Sequence, residues 1–213
     1  MGIDLGYIAT VIVVVLLSMT LHEAMHAFAS YWLGDNTAKN EGRLTLNPIK
    51  HIDPVLTIGL PVFLAIVGGP IFGGAKPVPF NPQNVRWGEY GAALVGLAGP
   101  FTNLVLSFIF FGLLVISGGG DGLLTTFLQL SVVVNLGFFI FNMIPIPPLD
   151  GSRALYAIAP DPVRRFMEMM EQYGIIVVFA VVLLAGQYIG QFIGTIQREI
   201  IQVYAAIFGV PML

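Results

Sequence analysis

The segment Leu21-His22-Glu23-Ala24-Met25-His26-Ala27 lies inside an apolar run, YIATVIVVVLLSMTLHEAMHAFASYWL. Residues four apart on a helix share a face, so a helix through this run projects His22 and His26 side by side, able to hold one divalent cation between them. Glu23 points about 100° round the helix from His22, given 3.6 residues per turn. There it reaches the outer side of a metal-held water but not the metal. His-Glu-x-x-His on a helix is the spacing that binds zinc through two imidazoles and leaves the glutamate to take a proton. In a soluble helix the same five residues are often a solvated face. Here that reading is poor, because ionisable side chains at membrane depth cost about 2.5–3.5 kcal/mol each even on the lenient insertion scale. A cation supplies the compensation.

A catalytic zinc takes three protein ligands and keeps one position open for water. His51, the remaining histidine, stands beside Lys50 in a polar loop and reads more comfortably as part of an interfacial turn. Asp150, in FNMIPIPPLDGSR, is the stronger candidate. Pro145, Pro147 and Pro148 stop a hydrophobic span there, and extended chain at that depth requires protein or a water-filled cavity around it. The competing role for Asp150 is N-cap of the helix that follows.

These residues must be placed by membrane helices. The chain of 213 residues is 56% hydrophobic and 10% charged, with mean hydropathy +0.86, against about 25% charged in soluble domains. Absence of cysteine removes disulfides and thiolate ligands, and a net charge of −3 excludes a nucleic-acid-binding surface. Spans of bilayer-crossing length fall at about 7–33, 92–117, 123–144 and 173–195. The stretch 55–72 is broken by Gly59, Pro61, Gly68, Gly69 and Pro70 and reads as re-entrant or shallow. Arg43-Leu44-Thr45-Leu46-Asn47 alternates like a small β element over 42–47. Its edge offers β-augmentation to an unwound substrate, with Thr45 among the contacts. The expectation is an all-α polytopic membrane protein of about four transmembrane helices, in one domain over 1–213, with a core at about 7–170 and a C-terminal span and amphipathic interfacial tail at 171–213.

Lys39, Arg43, Lys50, Lys76, Arg86, Arg153, Arg164 and Arg165 mark one side, which the positive-inside rule makes cytoplasmic. The cytoplasmic ends of 7–33 and 123–144 then lie together, so His26 and Asp150 can meet. Gly186, Gly190 and Gly194 repeat at four-residue spacing, a small-residue face suited to packing within the chain; a monomer is expected.

HEAMH in the first span, AGPFTNL (98–104) in the next and FNMIPIPPLDGSR after the third together resemble the site-2 protease family of intramembrane zinc metalloproteases, in the compact branch without PDZ or CBS modules. That resemblance implies His22, His26 and Asp150 as ligands of one Zn2+ per chain and Glu23 as catalytic base. It implies Asn142 as a contact to the substrate backbone; Asn103 matches an asparagine that binds substrate or hydrogen-bonds within the core. The implied reaction is peptide hydrolysis of transmembrane or membrane-associated substrates in a prokaryotic cell membrane, with the site opening to the cytoplasm. A non-proteolytic metal binder or transporter using the same His/His/Asp set is the alternative, but it leaves Glu23 without a task.

Overall fold

The computed structural model describes residues 5–59 and 74–211. Its α-helices are α1 (Leu5–Trp32), α2 (Thr37–Asn40), α3 (Glu89–Ile116), α4 (Leu123–Asn142), α5 (Gly151–Ile158), α6 (Asp161–Gln172) and α7 (Gly174–Phe208). Four segments are long and apolar enough to cross a membrane: α1, α3, α4 and residues Ile176–Phe208 of α7. Each exposes large side chains to what would be lipid, such as Ile12, Ile109, Val133 and Leu184.

Helix α3 is central and packs on α1, α4, α5 and α7. On one side Phe111, Val132, Leu136, Ile140, Tyr204 and Ala205 form a buried cluster from α3, α4 and α7. The tail, expected along an interface, packs against this cluster. It continues α7 as regular helix to Phe208, because Tyr204 and Phe208 stack against Phe108 and Phe111 and the Tyr204 hydroxyl hydrogen-bonds that of Ser107 at 2.9 Å. Apolar residues of the tail find more cover in the bundle than at a surface. Among the described residues, a Cβ at Gly186, Gly190 or Gly194 would meet nothing within 4 Å.

The β element expected at 42–47 is also not formed; no strand occurs among the described residues. The segment curls instead. The Arg43 N–H donates to Ala38 O and the Thr45 N–H to Arg43 O, while Thr45 Oγ accepts the Asn47 N–H. The reason is Arg43, whose guanidinium turns inward and donates to Lys76 O, so the apparent alternation does not divide an inner from an outer face. The edge that singled out Thr45 goes with it. Of the segment 55–72, the chain to Gly59 forms a π-helical turn over Pro54–Gly59; its remainder lies outside the described residues. Beyond it residues 74–81 run without regular secondary structure, tied to the first loop by Lys76 N–H to His51 O and Asn81 N–H to Asp35 Oδ2 at 2.8 Å.

Candidate active site

Helix α1 buries both histidines on the face turned to α3. Val95, Gly99 and Asn103 are spaced by four on α3 and so form one stripe, which receives them. His26 Nδ1–H donates to Val95 O at 2.7 Å. A carbonyl only accepts, so Nδ1 carries a proton and Nε2 is the ring atom turned toward the other candidate ligands. His22 Nδ1 lies 2.6 Å from Asn103 Oδ1. The two Nε2 atoms stand 3.0 Å apart.

Asp150 completes the group. Its Oδ2 is 3.0 Å from His22 Nε2 and its Oδ1 is 3.4 Å from His26 Nε2; the ligand atoms of the three residues all lie within 4.8 Å of one another. Asp150 sits at the N-cap position of α5, yet its side chain makes no capping bond, so the competing N-cap role is not the one it plays. Two glycines put it there. A Cβ on Gly151 would be 2.4 Å from Met143 O, and one on Gly96 would be 2.9 Å from Arg153 Cβ and 3.2 Å from Asp150 O. Only bare backbone lets the chain fold back over the end of α4 and press α5 onto α3.

The donor set fits zinc: two imidazole Nε2 atoms and a carboxylate, with the imidazoles held from behind. Gly99 leaves the space. A Cβ there would stand 2.4 Å from His26 Nε2 and 2.7 Å from His22 Nε2, so the stripe is hollow opposite the converging nitrogens.

Glu23, partly exposed, stands beside the ligand group rather than in it and accepts the Val78 N–H at 2.9 Å through Oε2. Val78 lies between Pro77 and Pro79, which have no N–H, so one donor from that stretch is aimed at the carboxylate. The other sequence candidates are placed differently. Asn142 donates through Nδ2 to Phe138 O one turn back on α4. Asn103 is fully buried and faces His22. His51 is fully buried outside the cluster, bonded to Thr45 O, consistent with its reading as part of a turn. Sequence reasoning missed Ser18 and Asn135, whose side chains join Asn103 in the core. An amide inside the apolar run LSVVVNLGFFIF was the available signal.

The model of peptidase family M50 matches residues 121–186. The chain is 39% identical over 207 residues to the Bacillus subtilis protein named "Putative zinc metalloprotease YwhC", covering 92% of this chain and 91% of that one. It belongs to peptidase family M50, the site-2 proteases. It is 35% identical over 186 residues to Rip2 of Mycolicibacterium smegmatis, over 82% of this chain and 68% of that protein, and 44% identical over 61 residues to MJ0611 of Methanocaldococcus jannaschii, over 29% of this chain. No solved structure matches it. As a family member the chain is an intramembrane zinc metalloprotease.

Proposed function

We propose that His22, His26 and Asp150 bind the zinc and that Glu23 is the general base, in a single membrane-embedded domain that hydrolyses peptide bonds of transmembrane or membrane-associated proteins. The observation that carries this is the convergence of three ligand atoms within 4.8 Å from residues 128 positions apart, His22 and Asp150. Zinc, when bound, acidifies a water toward neutrality and polarises a carbonyl. The protein's own residues do the rest. Val78 N–H holds Glu23 Oε2, leaving the second carboxylate oxygen to take a proton from the attacking water and hand it to the leaving amine. Asn142, its amide oriented by Phe138 O, meets the substrate backbone.

The basic residues Lys39, Arg43, Lys50, Lys76, Arg86, Arg153, Arg164 and Arg165 lie in the segments flanking the site, which supports its opening to the cytoplasm. The bacterial and archaeal relatives support a prokaryotic cell membrane as its setting.

The test is zinc content and cleavage of a transmembrane peptide by the wild type, Asp150→Ala and Glu23→Gln. Wild type should hold one zinc and cleave; Asp150→Ala should lose both properties. Glu23→Gln should keep zinc and lose at least a hundredfold in rate, in line with removal of a general base. Full zinc in Asp150→Ala would overturn the ligand assignment, and full activity in Glu23→Gln the assignment of the base.

A further inference from the structure

Behind the candidate ligands runs a chain of polar side chains with no contact to the open side of the site. Ser18 is 3% exposed, Ser131 1%, and Asn103 and Asn135 0%, all within the spans α1, α3 and α4. An asparagine amide presents two donors on nitrogen and an acceptor oxygen, and its orientation must be inferred from its partners. Here the partners leave one solution. Asn135 Nδ2 donates to Ser131 O at 2.8 Å and to Ser18 Oγ at 2.9 Å. Turning that amide over would set its oxygen against the Ser131 carbonyl, lone pair to lone pair. Asn135 Oδ1 therefore faces Asn103 and accepts from its Nδ2 at 2.8 Å, and the second Asn103 proton goes to Ser18 O at 3.3 Å. Turning Asn103 over would oppose two acceptors with a third. Its Oδ1 is left for His22 Nδ1 at 2.6 Å, which must then carry the proton.

We propose that Asn135, with Ser18, is a positioning residue that sets the tautomer of His22 through Asn103, keeping Nδ1 protonated and Nε2 a lone pair aimed at the metal position. Backbone carbonyls at Ser131 and Ser18 anchor the relay, and two amides carry their acceptor-only character across to the imidazole. His26 needs no such relay because Val95 O bonds its Nδ1 directly. With Asn135 changed to an apolar residue, Asn103 Nδ2 keeps only the 3.3 Å bond to Ser18 O. Its amide is then free to turn and present a donor to His22 Nδ1, which draws the proton to Nε2 and blocks it as a ligand.

The proposal rests on His22 as a zinc ligand, and the experiment separates the two. Full-length protein labelled with 15N-histidine is examined free of metal at alkaline pH, with resonances assigned through His26→Gln and His51→Gln; zinc affinity is then measured by chelator competition. Wild type should show His22 as the Nδ1–H tautomer. Asn135→Leu should show a measurable fraction as Nε2–H and bind zinc about 10–100-fold more weakly, the usual effect of losing an outer-shell partner. Asn135→Asp, which keeps an acceptor for Asn103, should restore Nδ1–H. A His22 found as Nε2–H in the wild type overturns the proposal, as does an Asn135→Leu protein with wild-type tautomer and affinity within twofold. Should Asn135→Leu not fold, the wild-type spectrum decides. A wild type that binds no zinc overturns the ligand assignment and leaves the tautomer to be read independently.

Discussion

Gly99→Ala adds one methyl at the centre of the site, and the consequence can be worked from distances. The new Cβ would stand 2.4 Å from His26 Nε2, 2.7 Å from His22 Nε2 and 2.8 Å from His22 Cδ2. Ordinary contact needs about 3.5–4.0 Å, so at least one imidazole must retreat by about 1 Å. Metal ligands tolerate about 0.2 Å. The histidines cannot retreat along α1 either, since Val95 O and Asn103 Oδ1 hold both rings from behind. Overpacking by one methyl costs about 1–3 kcal/mol. If the strain is relieved by opening the metal site, at 1.4 kcal/mol per tenfold zinc affinity falls about 5–150-fold. Chelator competition reads this directly, with Gly190→Ala as control because its Cβ would meet nothing within 4 Å among the described residues. Gly99→Ala with unchanged zinc affinity and full cleavage would refute the claim that the hollow in α3 is the metal position.

Two further substitutions probe the loops that wall the site. Asp35 is fully buried; burial pushes its carboxyl up, but bonds from the Thr37 hydroxyl, the Asn81 and Thr37 backbone N–H groups and the Asn84 amide hold it below the usual carboxylate value. The unfolded chain thus binds more protons at acid pH, so this contribution is whole above about pH 4 and is lost as pH falls through the lower native value. Asp35→Asn should cost about 1.5–3 kcal/mol at pH 7, and thermal unfolding should show the gap to wild type closing in acid; a gap independent of pH would count against the carboxylate as its source. His51→Ala removes the Nε2–H donor to Thr45 O and opens a cavity in a fully buried position, lowering stability by about 2–4 kcal/mol. The surviving protein should keep one zinc, and loss of zinc from folded protein would return His51 to the ligand set.

The candidate site residues divide by burial. Glu23 and Asp150 are partly exposed, while His22, His26 and Asn103 are buried. The stretch Lys76–Asn81 crosses between the two loops, bonded to His51, Glu23 and Asp35 in turn.

What the chain determines by itself is local. His22, Glu23 and His26 are legible because helical periodicity alone puts them on adjacent faces and because charge at membrane depth demands a partner. The four spans are legible because bilayer thickness sets their length, and the stop before Asp150 because proline cannot continue a helix. Long-range structure decided the rest. Nothing near Asp150 distinguishes a ligand from a helix cap; that choice was made when Gly96 and Gly151 let α5 approach α3 and turned the carboxylate toward two histidines. The alternation over 42–47 gave way because Arg43 found an acceptor in Lys76 O, 33 residues away. The C-terminal segment is continuous helix, with Tyr204 bonded to Ser107 97 residues away. Asn135, one amide in an apolar run, gains meaning only when three helices bring Ser18, Asn103 and His22 around it, because an amide's orientation is set by its partners rather than by its own sequence neighbours.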